Sequence, residues 1–335
     1  MFINHEKVTA GMTNLLQRTG SSNKAEALAA QYEFAQALTT PLRKGVMSGN
    51  ILDGIFTPDP IAVGASTEYP LDFLAPGTEK DFIAYTMPYA GYIPQRQAEG
   101  DYVMVPTYFV ANSIDWTLRY ARDARWNVIA RFLQVLESGF VKKLNDDGWH
   151  TLLSAVVDRN ILVFDSDATQ GQFTKRLVSL MKTVMRRNGG GNSTSMNRRK
   201  LTDLYFSPEA LEDIRNWGVD QVDEMTRREI YTAADGSINR IFNVNLHDID
   251  ELGTTDQEYT LFYTSTLAAS LASGDVELVV GLDLSEDMSF IMPVREPVTV
   301  FEDDNLHRHG KAGYYARGEM GFGVLDGRVC LAGSF

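Results

Sequence analysis

Apolar side chains recur every three to five residues through the middle of the chain. They are Leu118, Ala121, Trp126, Ile129, Phe132, Leu133, Leu136, Phe140 and Leu144. Steps of this size place one apolar stripe along a 3.6-residue period, which predicts a long amphipathic helix from Ser113 to Asn145. Ser113 can cap its first turn, and Lys142 and Lys143 lie near the negative end of the helix dipole. Gly148 is expected to end the helix in a left-handed conformation, with a further helical turn or two after it.

The chain before this helix has little regular pattern. Residues Met1 to Gly20 predict a mobile arm without a core of its own, and Asn23 to Leu38 predict a helix that ends before Pro41. From Leu42 to Pro76, Gly, Pro, Asp and Thr surround isolated apolar residues. A structureless segment of that length is uncommon inside a compact domain, so we expect an extended arm that lies along other surfaces.

Two strand-like runs, Phe82 to Ile93 and Tyr102 to Val110, predict a long hairpin whose charged tip includes Arg96. The second run is apolar on both faces, with Val103 and Phe109 on the same face. A hairpin of this kind is marginal in water. We therefore expect another surface to cover it.

Short strands and helices alternate from Ile161 to Val294, which predicts a mixed α/β domain. Strands are predicted at Ile161 to Phe164, Leu201 to Phe206, Ile238 to Leu246, Tyr259 to Thr264, Val276 to Leu282 and Phe290 to Val294. Helices are predicted after the caps Thr174 and Ser207, and from Leu267 to Ala272. The C-terminal residues return to strands at Val298 to Phe301, Ala312 to Gly323 and Val324 to Leu331, with a hairpin turn at Asp326 and Gly327.

Composition narrows the class of protein. A chain of 335 residues with 44% hydrophobic residues can bury a real core and suggests two domains. The net charge of −13 argues against binding nucleic acid through a broad basic surface and favours protein partners. The single cysteine, Cys330, excludes an intramolecular disulfide and is predicted in a buried strand. No apolar run has the length of a signal peptide core or a membrane span, so we expect a cytosolic protein.

The sequence offers only weak signals for a catalytic site. His307 and His309, with Asp303 and Asp304 nearby, could bind zinc or iron, but Arg308 between the imidazoles opposes a cation and favours a polar loop. Residues Gly189 to Thr194 lack the lysine of a phosphate-binding loop and follow a helix rather than a strand. No G-x-S-x-G elbow is present. No cofactor is therefore predicted.

Four stretches, in order along the chain, resemble the major capsid proteins of tailed bacteriophages. They are Tyr85 to Val110, Trp116 to Trp126, Tyr205 to Leu211 and Gly318 to Arg328. None is a catalytic motif, so the resemblance depends on their order and spacing. It implies an α+β fold, the HK97-like capsid fold that encapsulins share.

The resemblance also implies a division of the chain into parts. Residues 1–78 are an N-terminal arm, 79–112 an extended hairpin loop that reaches over the adjacent subunit, 113–160 a peripheral domain with a spine helix, 161–296 an axial domain, and 297–335 C-terminal strands that return to the peripheral domain. Such a chain is expected to self-assemble into pentamers and hexamers of an icosahedral head around double-stranded DNA, in the virion, after assembly in the host cytoplasm. Portal, scaffold or cement proteins are further expected partners, and packaged DNA is expected to make weak, non-specific contacts.

Two alternatives remain open at this point. An encapsulin-type compartment would use the same fold, and a metal-dependent hydrolase would use His307 and His309. Some members of the capsid family cross-link subunits through a hairpin lysine. Here Lys80 is flanked by Glu79 and Asp81, whose charges would keep it protonated, so no cross-link is predicted.

Contacts between subunits are expected at Val103, Phe109 and Arg96 of the hairpin. Basic residues near the Gly189 to Ser195 loop form a second candidate. They are Lys182, Arg186, Arg187, Arg198, Arg199 and Lys200. This cluster is either a solvated face or a contact with an acidic patch of a neighbour or with packaged DNA, and we include Arg198, Arg199 and Lys200 among the expected intersubunit contacts.

Overall fold

The computed structural model describes residues 10–21, 23–48, 52, 54–62, 64–70, 102–123, 126–188, 199–217, 240–285, 289–303 and 306–335. Its helices are α1 (Ala10–Thr19), α2 (Lys24–Ser48), α3 (Leu118–Arg122), α4 (Trp126–Asp158), α5 (Lys175–Asn188), α6 (Pro208–Asn216) and α7 (Glu258–Leu261). A π-helix spans Phe262–Thr266, and 3-10 helices span Leu306–His309 and Gly327–Val329.

The strands follow in the same order. They are β1 (Thr57–Pro60), β2 (Glu68–Pro70), β3 (Tyr102–Met104), β4 (Tyr108–Thr117), β5 (Leu162–Phe164), β6 (Asp203–Phe206), β7 (Arg240–Ile241), β8 (Val244–Asp248), β9 (Leu278–Leu282), β10 (Phe290–Glu302), β11 (Lys311–Met320), β12 (Gly323–Val324) and β13 (Cys330–Ser334). None of the described helices is long and apolar enough to cross a membrane.

The first of two compact units comprises Met1–Glu68, Met104–Gly148 and Ile291–Gly323. Its sheet has the order β1-β10-β11-β4, with β12 also paired to β10. Side chains alternate along β4, so that Val110 and Trp116 point inward while Phe109 and Asp115 point to solvent. Trp116 stacks on Tyr314, which contacts Phe34 of α2. One face of the sheet is therefore the core of this unit, and the other is open.

The long helix is confirmed as α4, but its predicted ends are wrong, and Leu118–Arg122 form the separate helix α3, with Asp123 as its C-cap. Residues Tyr108–Thr117, which include the expected cap Ser113, form β4 because they pair in continuous antiparallel register with Lys311–Met320. The predicted stop at Gly148 is also wrong, since α4 continues to Asp158. A Cβ atom at Gly148 would lie 2.0 Å from Cδ1 of Leu52, so this glycine permits close packing and does not end the helix.

The N-terminal segment is more ordered than the sequence indicates. Residues expected to be a mobile arm form α1, whose Leu16 is fully buried. The predicted helix end before Pro41 is wrong, because α2 runs through the proline to Ser48. Leu38, Leu42 and Val46, spaced four residues apart, are all buried. The free energy gained by burying this stripe exceeds the cost of the backbone hydrogen bond that Pro41 cannot donate.

The segment expected to lie along neighbouring surfaces contributes to its own chain instead. Strand β1 pairs in parallel with β10, and β2 pairs with β3. Phe56 is buried, with its ring centroid 5.2 Å from that of Phe322. The sequence of β1, Thr57 to Pro60, contains no alternation of apolar and polar residues, so it gave no strand signal.

The second unit comprises Tyr69–Val103, Trp149–Phe290 and Val324–Phe335. Its six-stranded sheet has the order β5-β13-β9-β6-β8-β7. Helix α5 packs its apolar stripe on one face, burying Leu177, Met181 and Met185 against Leu204 and Leu246. The mixed α/β architecture predicted for this region is confirmed in these residues.

Several local predictions for the second unit are confirmed. The hydroxyl of Thr174 accepts a hydrogen bond from the Leu177 N–H at 3.2 Å, and the hydroxyl of Ser207 accepts one from the Ala210 N–H at 3.1 Å. Cys330 is fully buried in β13. Capping signals act within one turn, which explains why the sequence alone reveals them.

Other local predictions are wrong. Ile238 to Leu246 is not one strand, because Phe242 and Asn243 adopt positive φ and form the turn between β7 and β8. Tyr259 to Thr264 is helical rather than extended, and Leu267 to Ala272 forms no helix. Asp326 and Gly327 do not form a hairpin turn, since Asp326 caps a 3-10 helix and β11 and β13 belong to different sheets. Tyr102 to Val110 is broken into β3 and β4 around Pro106, while Phe82 to Ile93 lies outside the described residues.

Candidate assembly surfaces

Three large apolar side chains on β3 and β4 are exposed to solvent in the isolated chain. Tyr102 and Met104 are each 66% exposed and Phe109 is 64% exposed, whereas Val103 is half-buried. Water in contact with this much apolar surface is unfavourable. The structure thus places Phe109 on the solvent-exposed surface of the isolated chain, and its expected contact with a neighbouring subunit stays a prediction. Arg96 lies outside the described residues.

On the open face of the first sheet, three aromatic side chains and one arginine lie in a row. We call this row the aromatic ladder, and its members are Phe109, Arg317, Phe301 and Tyr315. The guanidinium carbon of Arg317 lies 6.0 Å from the ring centroid of Phe109 and 5.2 Å from that of Phe301. The ring centroids of Phe301 and Tyr315 are 5.4 Å apart. These cation–π and stacking contacts hold the side chains in a fixed arrangement before any partner binds.

The start of β4 is fixed to the long helix. The hydroxyl of Tyr108 donates a hydrogen bond to Oδ2 of Asp147 at 2.7 Å, and Nζ of Lys143 lies 2.7 Å from Oδ1 of the same carboxylate. Burial, together with the neighbouring Asp147 carboxylate, raises the pKa of Tyr108 far above its ordinary value. The Tyr108 hydroxyl therefore stays protonated and continues to donate this hydrogen bond. The bond anchors the start of β4, next to Phe109, to α4.

A second surface is a cleft of about 380 Å³ in the second unit. Lys182 and Arg186 of α5, Lys200 before β6, and Asn243 in the β7–β8 turn line it, and we call it the basic cleft. Nζ of Lys182 donates a hydrogen bond to the Phe242 carbonyl at 2.5 Å. An ammonium group has three donors, so this bond leaves Lys182 able to bind an anion.

Arg199, one of the expected contact residues, also lines this cleft, but its side chain is buried rather than exposed. It is 4% exposed and forms an ion pair with Asp326, which also binds Arg328. Burial opposes ionisation of Asp326, but hydrogen bonds and charge from Arg328, with the charge of Arg199, lower its pKa. Lys200 is exposed, and Arg198 lies outside the described residues.

The described residues offer little for catalysis. They contain no group of three or more His, Cys, Asp or Glu side chains placed to hold a metal ion. His309 is exposed, while Asp304 and the side chain of His307 lie outside the described residues. Burial raises the pKa of the Cys330 thiol, so it is a poor nucleophile.

A further cleft of about 370 Å³ is lined by acidic residues whose charges are engaged. Arg176 forms ion pairs with Asp165 and Asp167, and Asp213 accepts a hydrogen bond from the Phe173 N–H at 2.8 Å. These carboxylates stabilise the loop before α5.

Sequence reasoning missed Arg317, Phe301 and Tyr315. A usable signal was present, because Tyr315 and Arg317 are the large outward-facing residues in a strand whose inward positions are apolar or small. Pairing β10 with β11 then brings Phe301 opposite Tyr315. That step requires the strand register, which the sequence does not supply.

Comparisons with known proteins bear on the fold. No family model and no curated protein sequence matches the chain. Solved structures do match: one from Microbacterium phage Oxtober96 has a TM-score of 0.57 at 10% identity, over 86% of this chain and 91% of that chain. The capsid of an empty GTA particle has a TM-score of 0.54 at 12% identity, over 86% and 90%. A structure from Mycobacterium phage Bobi has a TM-score of 0.50 at 14% identity, over 87% and 89%.

Similarity at these levels of identity establishes the fold and nothing finer. The predicted fold class, α+β with the HK97-like capsid fold, is confirmed. The predicted division into an arm, an extended hairpin loop, a peripheral domain and an axial domain stays a prediction.

Proposed function

We propose that this chain is the major capsid protein of a tailed bacteriophage, a structural protein that self-assembles into an icosahedral head around double-stranded DNA. The observation that carries the proposal is the fold, which spans 86% of this chain and 90% of a GTA capsid chain. Fold alone does not define function, so the surfaces must also suit assembly.

The surfaces suit assembly in two respects. Exposed Tyr102, Met104 and Phe109 present apolar area that a neighbouring subunit can cover, and burial of such area drives association. The aromatic ladder beside Phe109 is held rigidly, which reduces the entropy lost on binding. Different surfaces on one subunit contacting its two neighbours generate closed rings, here pentamers and hexamers.

The remaining partners follow from this role. Portal and scaffold or cement proteins would contact the shell at few positions, and packaged DNA would contact it weakly because the chain carries a net charge of −13. The protein would assemble in the host cytoplasm and function in the virion. None of these roles requires a cofactor.

Negative-stain microscopy of the purified protein tests the proposal. A capsid protein gives closed particles of uniform size, whereas a small oligomer would contradict the proposal. Nuclease treatment followed by extraction of the contents then distinguishes a head that encloses DNA from a compartment that encloses protein.

A further inference from the structure

The basic cleft has its counterpart in an acidic segment of the same unit. Residues 248–258 contain Asp248, Asp250, Glu251, Asp256 and Glu258 and no basic residue. Four of these carboxylates are exposed, and Glu251 is half-buried. We call this segment the acidic loop. Asp248, Asp250 and Asp256 form no ion pair with any residue that the structure describes.

The acidic loop is rigid. The Ile249 N–H donates to the Phe206 carbonyl at 2.9 Å, which continues the pairing of β8 with β6. The hydroxyl of buried Thr260 donates to the Gly253 carbonyl at 3.0 Å and closes the loop on α7. Its carboxylates are therefore held in place at little further cost in entropy when a partner binds.

Topology places the cleft and the loop at opposite ends of two neighbouring parallel strands, β6 and β8. Strands β6 and β8 are parallel, with Asp203 opposite Asn245 and Phe206 opposite Asp248. Lys200 precedes β6 and Asn243 precedes β8, whereas the acidic loop follows the carboxyl end of β8. At about 3.3 Å per residue, the two surfaces are roughly 20 Å apart, too far to pair within one chain.

The charge of the basic cleft remains available to a ligand. Asp326 is already paired with Arg199 and Arg328. Asp283 accepts a hydrogen bond from the Lys200 N–H at 2.8 Å and contacts the hydroxyl and N–H of Ser285. Among the described residues, these two carboxylates are thus engaged, and Lys182, Arg186 and Lys200 line the opening.

From this placement we infer that the basic cleft of one subunit binds the acidic loop of the next copy of this chain, head to tail. The inference rests on the proposed function and names the contact within a ring. Copies with a net charge of −13 repel one another, and local regions of opposite charge reduce this repulsion and set the orientation in which two copies meet. A contact between two different surfaces of identical units repeats from copy to copy, and it closes a ring when the rotation between successive copies adds up to a full turn.

Charge reversal tests this pairing. Arg186→Glu with Lys200→Glu, and separately Asp250→Lys with Asp256→Lys, should each raise the protein concentration needed for shell formation at least tenfold. The variant with all four substitutions restores opposite charges across the contact, so its threshold should return to within threefold of the wild type. The single-surface variants should remain folded by circular dichroism, because all four side chains are exposed.

Two reversals elsewhere serve as controls. Lys24→Glu and Asp158→Lys alter exposed residues outside both surfaces and should leave the threshold unchanged. Treating shells with a carbodiimide gives a second measurement, which needs no variant. Mass spectrometry should find Lys182 or Lys200 joined to a carboxylate of the acidic loop in shells but not in dissociated subunits.

The possible results separate this inference from the proposed function. If the wild type forms no shells, the proposed function fails. If shells form but both reversed pairs assemble like the controls, or the fourfold variant is folded and not rescued, the pairing is wrong. If reversal in the cleft only reduces the DNA retained by normal shells, the cleft binds nucleic acid and the inference is overturned.

Discussion

Replacement of Phe109 by aspartate should prevent assembly without unfolding the subunit. The side chain is 64% exposed in the isolated chain. For a phenylalanine of about 200 Å², a neighbour could therefore cover roughly 130 Å². At about 25 cal/mol per Å² this contributes about 3 kcal/mol per contact, or about a hundredfold in affinity.

The subunit itself should tolerate this change. An aspartate at position 109 would lie beside Arg317, whose guanidinium already contacts this position. Exposed substitutions of this kind alter the free energy of unfolding by about 0.5 kcal/mol or less. Val103→Asp should have the same direction of effect on assembly, with a larger cost to folding because Val103 is half-buried.

Light scattering against protein concentration measures the effect, and thermal unfolding of the subunit checks the fold. The matched control is Val135→Asp, which places the same charge at a 60% exposed apolar position of α4. We expect the threshold for assembly to rise about a hundredfold for Phe109→Asp, as the affinity estimate implies, and little for the control. Normal shells from folded Phe109→Asp at wild-type concentrations would refute the reasoning.

Three further predictions concern stability and covalent structure. Gly148→Ala should lower the free energy of unfolding by about 1–3 kcal/mol, since the new Cβ meets Leu52, and an unchanged urea midpoint would contradict that packing. The lowered pKa of Asp326 stabilises the folded state above the ordinary carboxyl pKa of about 4, and this stability is lost as pH falls through the folded pKa. The free energy of unfolding, measured against pH, should therefore fall more for the wild type than for Asp326→Asn between neutral pH and pH ~3. Parallel curves of unfolding free energy against pH for the two proteins would exclude the effect. Because Lys80 is expected to stay protonated, shells boiled in detergent should give one band at 37.4 kDa, whereas a ladder would reveal cross-linked subunits.

The parts of the fold that sequence predicts are those set by local rules. The apolar stripe of α4 is confirmed, with Leu133, Leu136, Phe140 and Leu144 all buried. The caps at Thr174 and Ser207 are confirmed because each satisfies an N–H within its own turn. These features require no knowledge of distant residues.

The misassigned elements depend on partners far away in sequence. Ser113 has the composition of a helix cap, but pairing with Tyr315 across the sheet keeps it extended. Gly148 looks like a helix stop, but Leu52 requires a small residue at that point. Pro41 remains within a helix because the apolar residues on both sides of it are buried.

The candidate surfaces were predictable to a similar degree. Phe109 could be identified as a contact residue from the sequence, because the run from Tyr102 to Val110 has apolar residues on both faces. The sequence could not distinguish the buried Arg199 from the exposed Lys200, because Arg199 pairs with the half-buried carboxylate of Asp326, 127 residues away. The sequence analysis missed the acidic loop, although its composition was a usable signal, and its relation to the basic cleft required the parallel register of β6 and β8.

A cryo-electron microscopy map of particles formed by the purified protein tests the central claim most directly. We predict a closed shell of five- and six-membered rings in which a neighbouring subunit covers Phe109 and an acidic loop occupies each basic cleft. Particles that do not form, or a shell in which Phe109 remains exposed to solvent, would contradict the account.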